Sequence, residues 1–237
     1  MDATTVRALA KLTVSLRIVG VRADGYHLLD AEMVTIDLAD ELTFSHGDGL
    51  SIVGAPDLPA GDDNLVRRAL LACGRTAHVR LVKRIPAGGG LGGGSADAAA
   101  VLRWAGVADV GTAASLGADV PFCLAGGRAR VTGVGEVIEP LPFAAGRPFT
   151  LLTPPFPVST PAVYRTWDGL GGPTAEGPND LEPAALAVEP RLAEWRDRLA
   201  QHTGKTPVLA GSGSTWFVEG EFEGPGLIVV RTAVPSP

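Results

Sequence analysis

A run of glycines between a predicted strand and a predicted helix constrains the fold of this 237-residue chain most strongly. Six of the eight residues at positions 88–95 are glycine, and the alternating apolar residues at 78–85 are typical of a strand. The alanine-rich residues 96–102 that follow strongly favour a helix. The sequence therefore predicts a strand, a glycine turn and a helix in that order, with little side-chain bulk at the turn.

A glycine turn that enters a helix is suited to binding an anion. The first amides of a helix lack acceptors within the helix and lie at the positive end of its dipole. Glycine also lets an anion approach the backbone closely. We therefore interpret the turn as a phosphate cradle, with a flexible linker or a tightly packed turn as the alternative.

Two common nucleotide-binding motifs fit the chain poorly. Glycines at 88, 90 and 93 satisfy the dinucleotide pattern, but residues 106–111 around Asp109 do not favour the strand that should end in its acidic residue. Gly204, Lys205 and Thr206 match the end of a P-loop, but position 199 is leucine where that motif requires glycine. These motifs do not identify the kind of phosphate site.

Composition and charge exclude several classes of protein. The net charge is −6 and no cluster of basic residues occurs, which argues against a nucleic-acid or membrane partner. No apolar run approaches the ~20 residues of a membrane span, and the N-terminus does not resemble a signal peptide. Two cysteines and four scattered histidines give neither a disulfide framework nor a zinc site. We expect a cytoplasmic α/β protein; the sequence does not indicate its oligomeric state.

The rest of the chain predicts a mixture of strands and helices. Residues 14–18 alternate as a half-buried strand, and residues 42–44 and 50–53 predict a hairpin. Asp62 and Asp63 are suited to cap a helix that follows them. A change of composition near Gly146 predicts a boundary between an N-terminal domain, 1–146, and a C-terminal domain, 147–237.

Several motifs resemble a known family. Residues 86–98, which contain the glycine turn, resemble the ATP-phosphate loop of the GHMP small-molecule kinases, such as the galactose, homoserine and mevalonate kinases. Further motifs narrow the resemblance to the 4-diphosphocytidyl-2-C-methyl-D-erythritol kinases; they lie at 10–16, 22–27, 63–66, 117–121, 179–182 and 211–213. The ordered set spans roughly residues 8–219 and is more specific than the glycine run alone.

The resemblance implies a fold, a reaction and cofactors. The fold would be the α/β (α+β) two-domain GHMP kinase fold, with a ribosomal-protein-S5-like N-terminal domain and a ferredoxin-like C-terminal domain. The reaction would transfer the γ-phosphoryl group of ATP to the 2-hydroxyl of 4-diphosphocytidyl-2-C-methyl-D-erythritol, a step in non-mevalonate isoprenoid (terpenoid) biosynthesis. The cofactors would be ATP and the Mg²⁺ that accompanies it, with no metal ligand set of the protein's own.

The matching motifs also imply roles for individual residues. Asp119 would be the catalytic acid/base and Lys11 its cationic partner. The implied ATP-binding residues are Pro86, Ala87, Gly88, Gly89, Gly90, Leu91, Gly92, Gly93, Gly94 and Ser95. The implied substrate-binding residues are Thr13, Tyr26, His27, Asn64, Lys83 and Tyr164, with Tyr26, His27 and Tyr164 around the cytidine base and Thr160 as a weaker candidate.

Taken alone, the residue types allow plainer interpretations. Asp119 is suited to cap a helix, Lys11 to lie in solvent, and Ser95 to cap the helix after the glycines rather than bind Mg²⁺. The two tyrosines, Tyr26 and Tyr164, are suited to ordinary packing.

The chain departs from the family pattern in three places. Thr13 replaces an asparagine, the segment between Leu102 and Gly117 is short, and no helix is predicted after Glu219. A GHMP-type kinase of another alcohol and a non-catalytic nucleotide-binding protein therefore remain alternatives.

Overall fold

Two sheets organise the computed structural model, which describes residues 3–235. The first sheet contains β1 (Thr4–Val21), β2 (His27–Ser45), β3 (Gly49–Val53), β4 (His78–Val82), β5 (Arg128–Gly133) and β6 (Val137–Pro140). Its order is β3-β4-β2-β5-β6, and β1 pairs with β2. All pairs are antiparallel except β3 with β4. The register of β1 shifts between Leu9 and Lys11 and again between Thr13 and Ser15. Such irregularities change the direction in which side chains point, and they flank the two predicted site residues of this strand.

Four helices belong to the first half of the chain: α1 (Leu65–Ala72), α2 (Gly93–Trp104), α3 (Val110–Leu116) and α4 (Val120–Ala125). Helix α2 is the central one, because every residue from Ala96 to Leu102 is buried. Its alanines allow close packing against β1 and against α1 and α4.

The second sheet has the order β10-β7-β9-β8 and is built from β7 (Pro148–Leu152), β8 (Val208–Leu209), β9 (Trp216–Glu219) and β10 (Leu227–Arg231). Helices α5 (Thr160–Gly169), α6 (Glu182–Val188) and α7 (Leu192–Thr203) belong to this half. The mixed α/β fold class is therefore confirmed. The first sheet ends before residue 146 and the second begins after it, while the division into two independent domains stays a prediction. None of the described helices is long and apolar enough to cross a bilayer.

Two local predictions were wrong. The strands at 42–44 and 50–53 do not form a hairpin, because β4 lies between them and pairs with both. Apolar side chains alternate in β4, whose Val79 and Leu81 are buried in the core, so burial favours a central position for this strand. The cap of α1 is Asn64 rather than Asp62 or Asp63, and its side chain accepts a hydrogen bond from the amide of Val66.

Candidate active site

One cleft of about 1110 Å³ brings the predicted site residues together. Its wall includes all ten residues of the glycine loop (residues 86–95) and both candidate catalytic residues, Lys11 and Asp119. Thr160 and all six candidate substrate-binding residues also line it. The volume lies just above the usual range for small-molecule sites. The functions of these residues stay predictions, but their positions allow them to contact one ligand pair.

Lys11 and Asp119 form an ion pair within this cleft. The ammonium Nζ of Lys11 lies 3.4 Å from a carboxylate oxygen of Asp119 and donates a hydrogen bond of 3.0 Å to the hydroxyl of Thr13. Lys11 is buried, so it is not a solvated strand residue, and a third of the Asp119 side chain is exposed. Asp119 directly precedes α4, yet its side chain makes no capping hydrogen bond. The carboxylate is therefore free to accept a hydrogen bond from a ligand.

The glycine loop packs so closely against its surroundings that side chains would not fit at several of its positions, Gly90 and Gly92 among them. A Cβ atom at Gly90 would lie 2.2 Å from the carbonyl oxygen of Ala210, and one at Gly92 would lie 2.7 Å from Cγ of Lys11. Both residues have positive φ angles, of 77° and 68°. The amide of Thr215 donates to the carbonyl of Gly89 and so joins the loop to the second half of the chain.

Helix α2 begins at the cleft end of this loop. The amides of its first turn have no acceptor within the helix, and its N-cap residue, Gly92, has no side chain to supply one. The interpretation of Ser95 as the cap is wrong, because the helix begins two residues earlier, at Gly93. The bare helix N-terminus beside a cleft is suited to hold an anion.

A buried charge cluster lies beneath the glycine loop. Lys83 donates to the carboxylates of Asp40 and, at 2.8 Å, Asp97, and all three side chains are 5% exposed or less. Asp40 also accepts hydrogen bonds from the amides of Arg84 and Ile85, which lead into the loop. Lys83 lines the cleft, but its ammonium is already bound by two carboxylates. The cluster fixes the start of α2 to the first sheet.

Burial changes the protonation of this cluster. It raises the pKa of Asp97 to about 7, because a charged carboxylate is poorly solvated there and Asp40 adds repulsion, although Lys83 opposes both effects. One carboxylate oxygen of Asp97 has no hydrogen-bond partner. Burial alone would lower the pKa of Lys83, but the two carboxylates reverse this and raise it.

An aromatic group occupies the other end of the cleft. The ring of His27 lies 4.7 Å from the ring of Tyr164 and 5.4 Å from the ring of Trp167, between centroids, and its Nε2 atom lies 2.7 Å from a carboxylate oxygen of Asp168. Burial raises the pKa of the Tyr164 hydroxyl, which is therefore neutral at physiological pH. Tyr26, by contrast, is 60% exposed.

Two further candidates hold structural positions at the cleft wall. Asn64 caps α1 and donates to the carbonyl of Pro59 at 2.9 Å, so its amide is largely engaged by its own chain. The hydroxyl of Thr160 lies 2.7 Å from that of Ser212. Within residues 3–235, no group of three or more acidic, histidine or cysteine side chains is arranged to hold a metal ion.

Sequence reasoning missed the partners of the predicted residues. Asp40 and Asp97 bind Lys83, and Asp168 binds His27. Only the last had a local signal: Tyr164, Trp167 and Asp168 have the i, i+3, i+4 spacing that places side chains on one helix face.

Comparisons with known proteins identify relatives that are kinases of small molecules. Residues 64–127 match the model of the GHMP kinases N terminal domain. The 4-diphosphocytidyl-2-C-methyl-D-erythritol kinase of Paracoccus denitrificans is 40% identical over 231 residues, which cover 89% of this chain and 84% of that protein. The enzyme of the same name from Nitrosomonas eutropha is 37% identical, covering 96% of this chain and 91% of that protein.

Solved structures give the same result. A crystal structure of 4-(cytidine 5'-diphospho)-2C-methyl-D-erythritol kinase superimposes with a TM-score of 0.76 at 33% identity, covering 97% of this chain and all of that one. Homoserine kinase from Cytophaga hutchinsonii has a TM-score of 0.62 at 17% identity, covering 99% and 96%, and so shares the fold. The level of identity over most of both sequences shows that the chain belongs to the 4-diphosphocytidyl-2-C-methyl-D-erythritol kinase family of the GHMP kinases.

Proposed function

We propose that the protein phosphorylates the 2-hydroxyl of 4-diphosphocytidyl-2-C-methyl-D-erythritol with ATP, in the biosynthesis of isoprenoid precursors. Family membership supports the substrate and the reaction. The observation that carries the proposal for this chain is the Lys11–Asp119 ion pair in a cleft that also contains the glycine loop. A relative that had lost catalysis would have no need to keep an acid, a cation and a phosphate cradle in one cavity.

The chemistry follows from the positions of Asp119 and Lys11. An alcohol is a weak nucleophile at neutral pH, and Asp119 accepts its proton as the new phosphorus–oxygen bond forms. The bond to the bridging oxygen breaks at the same phosphorus, and ADP leaves with the electron pair. The Lys11 ammonium pairs with the carboxylate and stabilises negative charge that develops nearby. The buried hydrogen bond to Thr13 holds that ammonium in place.

The residues of the cleft fit a nucleoside triphosphate. Glycines whose Cβ atoms would collide with neighbouring atoms bring backbone amides close to the cleft, and the first turn of α2 adds further donors. Few free cations are available, because Lys83 is bound by two carboxylates and Arg22 by Asp24. Amides, rather than side-chain charges, therefore supply most of the phosphate binding.

The donor set also fits Mg²⁺ that arrives with the nucleotide. This ion keeps several waters and commonly uses one or two protein oxygens together with substrate phosphates. The hydroxyl of Ser95 and the carboxylate of Asp119 are oxygen donors on the cleft wall. When bound, the ion would neutralise charge on the phosphates during transfer.

A phosphoryl-transfer assay tests the proposal. We expect turnover with ATP, Mg²⁺ and the cytidyl substrate, and none with homoserine or mevalonate. Turnover with either of those alcohols instead would indicate another GHMP kinase, and none with any acceptor would indicate a nucleotide-binding protein.

Substitution of the general base tests the mechanism. Asp119→Asn should lower kcat by ~10²–10⁴, the usual contribution of a general base, and leave ATP affinity nearly unchanged. An Asp119→Asn variant with wild-type turnover would remove this residue from the mechanism.

A further inference from the structure

Among residues 3–235, Asp168 is the one carboxylate that contacts the cleft's histidine, and neither the proposed reaction nor the phosphate cradle uses it. His27 is the first residue of β2, and its ring lines the cleft. Asp168 lies near the end of α5, 141 residues away in sequence, and its carboxylate oxygen is 2.7 Å from Nε2 of His27. A contact this short determines which nitrogen of the His27 ring carries hydrogen.

Helix α5 holds the histidine ring from three positions. Tyr164, Trp167 and Asp168 occupy one face of the helix, and all three contact His27. The indole of Trp167 is itself fixed, because it is buried and donates to the carbonyl of Pro173 at 3.0 Å. The ring therefore has little freedom to rotate away from Asp168.

The carboxylate decides which ring nitrogen carries the proton. An ionised carboxylate only accepts hydrogen bonds, so Nε2 of His27 must be the donor. In a neutral imidazole with hydrogen on Nε2, the other nitrogen, Nδ1, is a bare acceptor. Within residues 3–235, Asp168 is the only hydrogen-bond partner that the structure gives this ring. Nδ1 is therefore left to a ligand in the cleft.

A hydrogen-bond acceptor at Nδ1 of His27 can distinguish cytosine from uracil. Cytosine presents an amino group, which donates, where uracil presents a carbonyl oxygen, which accepts. We propose that Asp168 is a positioning residue that holds His27 in the Nε2–H form, so that Nδ1 accepts from a base amino group and the site selects cytosine over uracil. This inference rests on the proposed function for the identity of the acceptor substrate.

Calorimetric titration with CDP and UDP tests the selection without requiring catalysis. The wild-type protein should bind CDP more tightly by roughly 10- to 100-fold, the value of a well-made base contact. Asp168→Asn should lower this preference by about threefold or more, because an amide can present either its oxygen or its amino group to Nε2 and so permits both forms of the ring. Asp197→Asn is the matched control, since Asp197 is similarly exposed but lies on α7, and it should retain the preference.

Three results would overturn the proposal. The first is an Asp168→Asn variant whose preference for CDP over UDP stays within about threefold of the wild-type preference. The second is a wild-type protein that binds CDP and UDP equally well, and the third is a wild-type protein that binds neither nucleotide. The position of the hydrogen on the His27 ring is a second measurement, and a purely structural role of Asp168 would not change it. Nitrogen-15 NMR of the His27 ring should show hydrogen on Nε2 in the wild type and a mixture in Asp168→Asn, and hydrogen on Nδ1 in the wild type would refute the assignment.

The kinase assay separates this inference from the proposed function. In Asp168→Asn the KM for the cytidyl acceptor should rise while kcat stays near the wild-type value, because the residue acts on base recognition and not on transfer. If wild-type protein failed to phosphorylate the cytidyl substrate but still preferred CDP to UDP, and Asp168→Asn weakened that preference, the proposed reaction would be wrong and the role of Asp168 would stand.

Discussion

The substitution Asp97→Asn should change how the stability of the protein depends on pH. Asp97 and Asp40 share the single ammonium of Lys83 in a buried cluster, so the cluster carries a net negative charge when both acids are ionised. Burial raises the pKa of Asp97 to about 7, which means that the folded protein holds a proton at pH 5 that the unfolded chain has released. Asparagine has nearly the same shape as the protonated acid and cannot ionise.

The size of the effect follows from the two pKa values. The ordinary value of 3.8 describes the unfolded chain, and the value of about 7 describes the folded state. Because the folded pKa is the higher one, the group stabilises the protein at low pH and this stabilisation is lost as pH rises towards 7. At 1.36 kcal/mol per pKa unit, the loss between pH 5 and pH 8 is about 2–3 kcal/mol, and Asp97→Asn should not show it.

Urea unfolding followed by tryptophan fluorescence at pH 5, 6, 7 and 8 measures this difference. The groups outside the cluster are common to both proteins, so subtracting the two free energies of unfolding isolates the titration of Asp97 together with its coupling to Asp40 and Lys83. The variant should be close to the wild type at pH 5 and more stable at pH 8. Asp63→Asn is the control, because Asp63 is exposed and belongs to no ion pair in the described part of the chain. Parallel pH profiles of Asp97→Asn and the wild type, within about 0.5 kcal/mol, would refute the buried-charge argument.

Three further substitutions test other parts of the structure. Gly90→Ala should raise the KM for ATP by roughly tenfold or more, because φ at position 90 is positive and the added Cβ would collide with the carbonyl of Ala210. Steady-state kinetics that match the wild type would contradict this. Asp180→Ala should lower the free energy of unfolding by about 2–4 kcal/mol in urea denaturation, because the buried carboxylate accepts from one guanidinium and two backbone amides; a loss below about 1 kcal/mol would count against it. Thr13→Val should lower kcat by about tenfold while the melting temperature changes little, because the Lys11 ammonium loses its buried acceptor; unchanged turnover would show that the hydroxyl does not position Lys11.

Local patterns in the sequence predicted the phosphate cradle well. The strand, the glycine loop and the alanine-rich helix follow one another within about 25 residues, and glycine and alanine have strong intrinsic preferences. The ten residues of that loop all line the cleft. The capping preference of Ser95 placed the start of α2 too late in the sequence. The helix begins at Gly93, because Gly92 already supplies the left-handed conformation at the turn.

Contacts between distant residues could not be predicted in the same way. The insertion of β4 between β2 and β3 depends on which strand buries more apolar surface, and this is a property of the whole sheet. Lys83 and Asp40 are 43 residues apart, and no local spacing connects them. The family resemblance implied that Lys83 binds substrate, and this role stays a prediction; the structure shows its ammonium engaged by two carboxylates beneath the glycine loop.

Helix α2 explains why a short segment between α2 and α4 is compatible with an intact site. The N-terminus of α2 carries the phosphate cradle, and near its C-terminus Arg103 donates a hydrogen bond of 2.7 Å to the carbonyl of Cys123 in α4. Helix α4 in turn begins directly after Asp119. The distance between the cradle and the general base is therefore set by the packing of α2 on α4 and by this hydrogen bond, and not by the length of the chain that connects them.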